Sequence, residues 1–558
     1  MEKIWACKRE NKIKVIYNGR IYLTKGAFCE ALIVDRGRIV KTGSSKEILE
    51  EVPSASEKID AEGALVLPAF YDSHLHLKWA GIRSGGIEGS GARSIDEVIR
   101  RGREYIEKHK PPFGSYVHGN GINPDLFSEG EKRDLSRQDV DKISIDHPVI
   151  LSRHCGHTIY SNSSALKLAG LSERALDPEG GTIEKDPGGR PTGVLRESAA
   201  NLLRDAMPHP SKEEIKTALS VAMKKAHSLG ISACGSYDTG GPDFDDVLEV
   251  YREIYDESLK LNKPALRVTM QCGISVKEEM LDAHIKRGIY LAPLWETPLW
   301  GTFLKMGSIK LFEDGTLGGQ TAWMRRPYRD KPGTKGFPVL DETLLKGFVK
   351  KASSNGMQVL VHAIGDAGID VVLKAFENVT APGKNPLRHG IIHFQIGGKD
   401  LFERAARNNI LALVQPIFLG DDLSILESRV GPDLASNSYA WASMRRHGIP
   451  VSYSSDAPVS CMDPLLNIEW AVLRRDSEDP LSKTFCPGER EDIFTAVDSY
   501  TKDAAYANFD ETSLGRIAPG FFADLVFLDR DIFTIPPEDI HKTKVLRTMC
   551  AGEIVYNT

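Results

Sequence analysis

Apolar and polar residues alternate in short segments at both ends of the chain. Near the amino terminus these segments are KVIYNGRIYL, ALIVDRGRIVKTG and GALVLP, and near the carboxyl terminus they are GRIAPGFFADLVFLD and KVLRTMCAGEIVY. Alternation with a period of two, broken by Asp-Arg-Gly, Pro-Gly and Ala-Gly turns, predicts β-strands. We expect the two ends, residues 1–67 and 505–558, to pair into one small β-sandwich domain.

The middle of the chain has a different pattern, in which apolar strand-like runs alternate with amphipathic helical stretches. Helices such as SKEEIKTALSVAMKKAHSLG and DETLLKGFVKKASSNG separate several of the runs, and both helices stop at a glycine. This alternation is typical of a parallel sheet and predicts an α/β fold, a TIM-like (β/α)8 barrel made of residues 68–80 and 211–504. The eight candidate strands begin near Phe70, Ile231, Leu266, Ser308, Gln358, Ile391, Leu411 and Val451.

Residues 81–210 do not fit a single connection between a strand and the next helix, because they are far longer than the loops of compact domains. The segment combines a turn-rich stretch, DPEGGTIEKDPGGRPTG, with a periodic helical stretch, SIDEVIRRGREYIEKHK. We therefore predict an inserted subdomain after the first barrel strand.

Composition and charge exclude several classes of partner. The 77 acidic and 71 basic residues give a net charge of -6 without a long run of one sign, so no nucleic-acid partner is predicted. We also predict no membrane partner, because no stretch has the apolar length of a membrane span and the amino terminus lacks the layout of a secretion signal. We expect a cytoplasmic protein with a small-molecule substrate, and a homodimer is one option for its assembly.

The strongest local motif is YDSHLHL at residues 71–77, directly after the apolar run ALVLPAF. Residues two apart on a strand face the same way, so His74 and His76 can present both imidazoles to one metal ion. Taken alone, the pattern is explained equally well by two surface histidines near a strand end.

Other residues of metal-ligand type lie in later candidate strands. They are Lys310 in MGSIKLFEDG, His362 in QVLVHAIGD, His393 in HGIIHFQ and Asp456 in VSYSSDAP. Parallel barrels place their active sites at the carboxyl ends of the strands, so these distant segments are expected to converge on one rim. This convergence favours a metal centre over a chance distribution.

With these residues in place, the sequence resembles the amidohydrolase superfamily, and more closely its amidohydrolase family 3 branch, which includes N-substituted formamide deformylase-like proteins. The resemblance covers nearly the whole chain, and its other matching stretches are GTLGGQTAWM, HAIGDAGID, RHGIIHFQ, DPEGGTIEKDPGGRPTGVLRE and SLGRIAPGFFADLVFLD. It implies a metal-dependent hydrolase whose ligands are His74, His76, Lys310, His362, His393 and Asp456.

The resemblance also implies that Lys310 is carboxylated on its amine. An ammonium has no lone pair for a metal, whereas a carbamate supplies two anionic oxygens that can bridge two cations. The alternative is an ordinary ion pair between Lys310 and Glu313 or Asp314. The position of Lys310 inside an apolar strand favours carboxylation over this ion pair. One or two divalent ions are expected, with zinc best suited to mixed imidazole and carboxylate ligands and iron, manganese or nickel as alternatives.

The implied reaction is hydrolysis of a non-peptide carbon–nitrogen bond in a linear amide or an N-acyl or N-formyl compound. Metal coordination brings the pKa of water toward neutrality, and Asp456 then acts as the general base that passes the proton to the leaving nitrogen. His393 is either a ligand or a group that polarises the carbonyl when one metal is present. Asp72, Asp366 and Asp314 are expected to support the ligands from behind. Ligating histidines usually donate their other nitrogen to an acceptor, which favours this role for Asp72 and Asp366, and a structural role is the alternative for both.

Three further residues are candidate substrate contacts: His157 and Asn162 in LSRHCGHTIYSNSSAL, and Gln320 in LGGQTA. An ordinary surface loop is the alternative for the first two. Cys155 stands where the family often has an aspartate, and Gln320 where it often has an arginine, so substrate preference does not follow from the resemblance.

Other functions remain open at this point. One alternative is a noncatalytic scaffold or regulator built on the same barrel. Missing metal ligands would favour this interpretation, but every expected ligand residue is present in the sequence. Cyclic amides and esters are alternative substrates, because loops determine the substrate in this kind of fold. A nonhydrolytic metal enzyme, such as an isomerase or a lyase, would need a second acid or base in the pocket.

Overall fold

The computed structural model describes residues 13–558 except for 129, 131, 154–157, 179–180, 198, 208–209, 241–242, 275–276 and 480. The chain divides into two compact units. Unit 1 contains the residues up to Leu77 and those from Ala222 onward, and unit 2 is Lys78–Val221. None of the helices in the described ranges has the length and apolar character of a membrane span.

Short strands at the start of unit 1 form parts of two sheets. They are β1 (Lys14–Tyr17), β2 (Arg20–Thr24), β3 (Ala27–Cys29), β4 (Ala31–Asp35), β5 (Arg38–Gly43), β6 (Glu57–Asp60) and β7 (Leu65–Pro68), with helix α1 (Ser45–Glu51) after β5. The first sheet has the order β5-β4-β1-β6, in which β1 is antiparallel to β4 and parallel to β6. Strand β7 leads directly into β8 (Phe70–Leu75).

Unit 2 is built on a six-stranded sheet with the order β13-β14-β12-β11-β10-β9. Its strands are β9 (Ile87–Glu88), β10 (Val117–Ile122), β11 (Val149–Arg153), β12 (Thr158–Ser161), β13 (Gly181–Lys185) and β14 (Pro191–Glu197). The helices of this stretch are α2 (Leu77–Ser84), α3 (Ile95–His109), α4 (Arg137–Asp141), α5 (Ser163–Leu168), α6 (Ala199–Ala206) and α7 (Lys212–Ser228). Val98 and Ile99 of α3 pack with Leu151 of β11 in the core of this unit.

Eight parallel strands form a nearly closed barrel in unit 1, in the order β8-β15-β16-β18-β19-β20-β21-β22. After β8 the strands are β15 (Ile231–Thr239), β16 (Arg267–Gly273), β18 (Gly301–Phe312), β19 (Val359–Ala363), β20 (Gly390–His393), β21 (Leu411–Val414) and β22 (Val451–Tyr453), and β17 (Pro293–Thr297) pairs with β18 from outside the order. The first and last strands are adjacent, because Ser73 Oγ donates to Tyr453 O at 2.8 Å. The predicted α/β fold with an eight-stranded parallel barrel is confirmed.

Helices lie between and after the barrel strands: α8 (Phe244–Leu261), α9 (Glu278–Arg287), α10 (Glu342–Ser354), α11 (Asp366–Glu377), α12 (Lys399–Arg407), α13 (Phe418–Val430), α14 (Pro432–Ala435), α15 (Trp441–Arg446), α16 (Pro464–Leu473), α17 (Ile493–Ser499) and α18 (Lys502–Ala507). Helices α7 and α10 stop before Gly230 and Gly356, whose positive φ values of 80° and 72° suit glycine. The fourth barrel strand starts at Gly301, earlier than the predicted Ser308, because its first residues also pair with the antiparallel β17.

Three carboxyl-terminal strands complete the second sheet. They are β23 (Leu525–Leu528), β24 (Val545–Cys550) and β25 (Glu553–Asn557), and the sheet order is β25-β24-β23-β7-β2-β3. Ile16 and Leu32 of the first sheet and Val66 and Phe527 of the second belong to one buried apolar cluster. The two ends of the chain therefore share a core.

Candidate metal centre

The six predicted ligands lie at one edge of the barrel, at or just beyond the carboxyl ends of its strands. Parallel strands all end at the same edge, so the fold gathers residues that are far apart in the sequence. The ligands are His74 and His76 around the end of β8, Lys310 in β18, His362 in β19, His393 in β20 and Asp456 after β22.

The tightest part of this group is formed by His74, His76 and Asp456. The Asp456 Oδ1 atom lies 3.0 Å from His76 Nε2 and 3.2 Å from His74 Nε2. One potential ligand atom from each of the three residues lies within 4.8 Å of the other two. Although His74 Nε2 is close to the carboxylate, this buried nitrogen makes no hydrogen bond within the described part of the chain.

Two of the six predicted ligands have an unusual backbone conformation. His393 has a φ of 77° and Asp456 a φ of 54°, in the left-handed region that side chains rarely adopt. Such conformations persist where surrounding contacts enforce them, and they are common at functional sites. The Asp456 N–H donates to His74 O at 3.0 Å, which ties the aspartate to the end of the first strand.

His362 and His393 form a second pair beside the first group. His362 Nδ1 lies 2.9 Å from His393 Nε2, and His393 Nε2 lies 4.0 Å from Asp456 Oδ2. The other nitrogen of His362 lies 3.1 Å from the carbonyl oxygen of Gly315, which can only accept. A neutral His362 that donates from Nε2 to this carbonyl presents the Nδ1 lone pair to His393 Nε2, so His393 must then donate its own proton there or the two nitrogens must share a cation.

Lys310 is buried between these groups, with 2% of its surface exposed. No hydrogen-bond partner for its Nζ atom is found among the residues the structure describes, and the nearest ring, Phe312, has its centroid 4.7 Å away. Burial lowers the pKa of Lys310 to about 7, against a smaller opposing effect of the Asp456 carboxylate. An amine in this environment is readily deprotonated and free to react.

Burial also determines the protonation of the histidines. It lowers the pKa of His74 to about 4 and that of His362 to about 3, with Lys310 adding to both shifts. The pKa of His393 is likewise held well below its usual range, chiefly by burial. Burial raises the pKa of Asp456, but His74 and His76 beside it outweigh this and hold it well below the usual range. At neutral pH His74, His362 and His393 are therefore neutral, and Asp456 is ionised.

The aspartates that were predicted to support the ligands bind backbone N–H groups. Asp72 accepts from the N–H of His74 at 3.2 Å and from that of Ser455 at 3.1 Å, and so links the first strand to the loop that carries Asp456. Asp366 accepts from Arg325 N–H at 2.8 Å. This differs from the expected contact with imidazoles, because the loops at the strand ends leave N–H groups that need acceptors.

Asp314 also organises the backbone around the site. It accepts from the N–H groups of Trp323 at 2.9 Å, Ile364 at 3.0 Å and Gly365 at 2.8 Å. Its Oδ1 atom lies 3.5 Å from His362 Nε2. The carboxylate therefore holds the loop after β18 against the end of β19, and it does not form the ion pair with Lys310 that was the alternative to carboxylation.

Two glutamines that sequence reasoning missed contact the ligands. His74 Nδ1 is hydrogen-bonded to Gln271 Oε1, and His393 Nδ1 to Gln415 Oε1 at 2.7 Å. Both glutamines interrupt apolar runs, in TMQCG and LALVQP, near the carboxyl ends of β16 and β21. That interruption is the only signal in the sequence that marks them.

The predicted substrate contacts belong to different elements of the fold. Gln320, with a φ of 55°, lies in the loop after β18 and donates to Asp330 at 3.1 Å. In unit 2, the Asn162 amide accepts from Val149 and Ala165 N–H and donates to two carbonyl oxygens. These four bonds use its whole hydrogen-bonding capacity in the local fold. His157 lies outside the described residues.

Aromatic rings lie beside three of the ligands. The ring centroids lie 5.3 Å apart for Tyr237 and His76, 5.4 Å for Phe312 and His362, and 5.7 Å for Phe418 and His393. An apolar surround of this kind lowers the local dielectric and strengthens the interaction of a cation with its ligands.

The residues present fit a divalent cation. Imidazole nitrogens and a carboxylate are the donors that zinc and related metals prefer. The lone His74 Nε2 faces a carboxylate, and the Lys310 amine has no partner in the described ranges, so the buried polar atoms of the site are incompletely satisfied by the protein itself. A cation bound among them would complete these contacts.

Comparison with known proteins agrees with this geometry. A family model described as the amidohydrolase family matches residues 57–556. The putative amidohydrolase YtcJ of Bacillus subtilis is 34% identical over 98% of this chain and 99% of its own length. The N-substituted formamide deformylase of Arthrobacter pascens is 26% identical over 97% of both chains.

A solved structure has a similar fold. It is an uncharacterized metal-dependent hydrolase from Pyrococcus horikoshii, with a TM-score of 0.77, 27% identity, and coverage of 94% of this chain and 99% of that one.

Proposed function

The chain belongs to the amidohydrolase family, and from this premise we propose that it hydrolyses the carbon–nitrogen bond of a linear amide at the metal centre. The observation that carries the proposal is the group formed by His74, His76 and Asp456, whose ligand atoms lie within 4.8 Å of one another. The alternative of a noncatalytic scaffold gains no support, because every expected ligand lies at the same edge of the barrel.

His74, His76 and Asp456 would hold a first divalent cation, with Lys310 beside them and His362 and His393 on the other side. Zinc is the metal best suited to these donors, in one or two copies per chain. When bound, the cation supplies Lewis acidity, which favours deprotonation of water and polarises the substrate carbonyl.

Lys310 is carboxylated in this proposal. Its neutral amine adds to carbon dioxide, forming one N–C bond and releasing one proton, so that a potential cation becomes an anionic carbamate. The partnerless Nζ atom within the described part of the chain supports this step. A buried ammonium without a counterion is costly, whereas the carbamate supplies two oxygen ligands.

Asp456 accepts the proton of the attacking water. As the water oxygen bonds to the carbonyl carbon and the carbon–nitrogen bond breaks, Asp456 passes that proton to the leaving nitrogen. The contact of its carboxylate with His76 Nε2, at 3.0 Å, and the hydrogen bond from its own N–H to His74 O, at 3.0 Å, aim the carboxylate at the site.

N-formyl amines are the first substrate class to examine, with other linear N-acyl amines second. The relative from Arthrobacter pascens, an N-substituted formamide deformylase, matches nearly the full length of the chain. The aromatic rings of Tyr237, Phe312 and Phe418 beside the ligands favour an apolar group next to the scissile bond. Cyclic amides and esters have no comparable support.

The test measures metal content by elemental mass spectrometry and hydrolysis of a panel of N-formyl and N-acyl amines. We expect one or two metal equivalents per chain, and we expect Asp456→Asn to lower turnover by about 10²-fold or more. Asp433→Asn, at an exposed position of α14, is the control and retains wild-type turnover. A metal-free protein that stays inactive after reconstitution would overturn the proposal and favour the scaffold.

A further inference from the structure

We propose that Gln271 and Gln415 are positioning residues that fix the tautomers of His74 and His393, so that the Nε2 atom of each carries the lone pair for a metal. The inference rests on the proposed metal site and adds to it two residues outside the ligand set. It follows from which atoms can donate and which can only accept.

The orientation of the Gln271 amide is set by its second contact. Its Nε2 atom donates to the carbonyl oxygen of Ser73 at 3.0 Å. Turning the amide over would place Oε1 against that oxygen, and two acceptors would face each other. Oε1 must therefore face His74, and because Oε1 only accepts, His74 Nδ1 must carry the proton.

The backbone leaves room for this arrangement. A Cβ atom on Gly235 would lie 2.5 Å from Gln271 Nε2 and 2.5 Å from Ser73 O, which is too close for either. Glycine at this position of β15 thus allows the hydrogen bond that orients the amide.

Gln415, directly after strand β21, repeats the arrangement. Its Nε2 atom donates to Leu413 O at 3.1 Å and to Ser454 Oγ at 2.7 Å. The carbonyl of Leu413 again excludes the opposite orientation, so Oε1 accepts from His393 Nδ1 at 2.7 Å. Two glutamines, one on β16 and one directly after β21, therefore hold two ligands in the same way, although these strands are not neighbours in the barrel.

The consequence is a prepared metal site. A neutral imidazole has a single N–H, and in both residues it is used at Nδ1, which leaves Nε2 unprotonated. The unprotonated Nε2 atom of His74 lies 3.2 Å from Asp456 Oδ1. Both atoms are acceptors and repel each other, and a cation bound by both would remove this repulsion. For His393 it favours a role as ligand over a role as donor to the substrate carbonyl.

The first test uses nitrogen NMR of the full metal-free chain labelled with 15N-histidine. The wild-type spectrum is expected to show His74 and His393 as Nδ1–H tautomers. Gln271→Met should remove the Nδ1–H signal of His74 alone, and Gln415→Met that of His393 alone. Wild-type protein with His74 or His393 protonated at Nε2 would overturn the inference, whether or not the protein binds metal.

The second test measures zinc affinity by competition with a chelator. Each methionine variant is expected to bind zinc about 10- to 100-fold more weakly than the wild type. The control is Gln358→Met, which removes a buried glutamine whose amide donates to Arg388 O at 2.7 Å and Ala507 O at 3.1 Å, away from the ligands. We expect the control to lose stability but to keep its zinc affinity.

The two proposals fail in different ways. If the wild type binds zinc and hydrolyses amides but both methionine variants match the control, only the role of the glutamines is wrong. If the wild type binds no zinc, the proposed function fails, and the tautomers measured in the metal-free chain still decide the inference.

Discussion

Lys305 and Lys310 lie on the same barrel strand and are both buried, with 7% and 2% of their surfaces exposed, but their surroundings differ. Lys305, near the amino-terminal end, donates to Asp510 at 2.6 Å and to Asn508 O at 2.8 Å. Lys310, near the carboxyl end, has no hydrogen bond to any described residue. The fold pairs one buried amine completely and leaves the other for a ligand or a modification.

The neighbouring strand β16 shows the same contrast. At its amino-terminal end Arg267 donates to both oxygens of Asp524, at 2.8 Å and 3.2 Å, and to the carbonyls of Trp300 and Thr302. Toward its carboxyl end Gln271 contacts His74, whose other nitrogen makes no hydrogen bond in the described structure. The buried charge of Arg267 is therefore paired within the chain, whereas His74 Nε2 at the other end of the barrel is left for an added group.

The sharpest way to break this comparison is Lys310→Met. We expect turnover to fall by about 10³-fold, because the variant lacks the proposed carbamate ligand and with it several kcal/mol of charge stabilisation in the transition state. The free energy of unfolding of the metal-free protein should stay the same or rise, since the amine has no partner to lose. Amide hydrolysis and urea unfolding measure the two quantities. A large loss of stability would show that Lys310 is a structural residue like Lys305.

Lys305→Met is the matched experiment at the other end of the strand. Removing one partner of a buried ion pair leaves Asp510 uncompensated, and we expect the free energy of unfolding to fall by about 3 kcal/mol. Zinc affinity of the folded protein should match that of the wild type, because Lys305 contacts none of the ligands. Urea unfolding followed by chelator competition tests both parts, and a weakened zinc site would contradict the separation of the two ends.

Glu313 extends the comparison to an acidic residue at the carboxyl end of β18. It is fully buried, and neither of its carboxylate oxygens has a hydrogen-bond partner in the ranges described. Burial, together with Asp314, Glu342 and Asp341, raises its pKa to about 8. Folding therefore favours the protonated form, so this group's contribution to stability is present below the unfolded pKa, near 4.5, and is lost as the pH rises toward 8.

Replacing Glu313 by glutamine should remove that loss. At pH 8 we expect Glu313→Gln to raise the free energy of unfolding by roughly 1–3 kcal/mol, and at pH 4.5 to change it little. Urea unfolding of the metal-free protein across this pH range gives the profile. Glu427→Gln, at an exposed position of α13, is the control and should keep the wild-type profile. An unchanged profile in Glu313→Gln would mean that the carboxylate has partners in solution.

The parts that sequence reasoning predicted are those with a signal in residue type or periodicity. The barrel strands are apolar runs, and His74, Lys310 and Asp456 are residue types that stand out where such runs end. Gln271 and Gln415 were not predicted, because glutamine carries no specific association with metal sites and the partners are 197 and 22 residues away in the sequence. Their role depends on the register between strands, which a single sequence does not reveal.

The contact of Asp72 was also mispredicted, because it depends on the backbone of the folded chain. Its neighbours in YDSHLHL suggested a contact with a ligand, whereas the fold uses the carboxylate to hold the N–H groups of His74 and Ser455. Backbone donors that become exposed where a strand ends leave no mark in the sequence.

The smallest expected effect is that of Tyr71→Phe. This variant tests whether a residue next to the ligands in sequence, but without contact to them in the structure, affects metal binding. Tyr71 lies in the same motif as His74 and His76, but its hydroxyl donates to Asp510 at 2.9 Å, in the network of Lys305. Losing this bond should lower the free energy of unfolding by about 1 kcal/mol, measured by urea unfolding. Zinc affinity should stay within about twofold of the wild type, because ligands lose affinity only when their own partners are removed. A variant of equal stability but weaker zinc binding would show that the two ends of the barrel are coupled through the first strand.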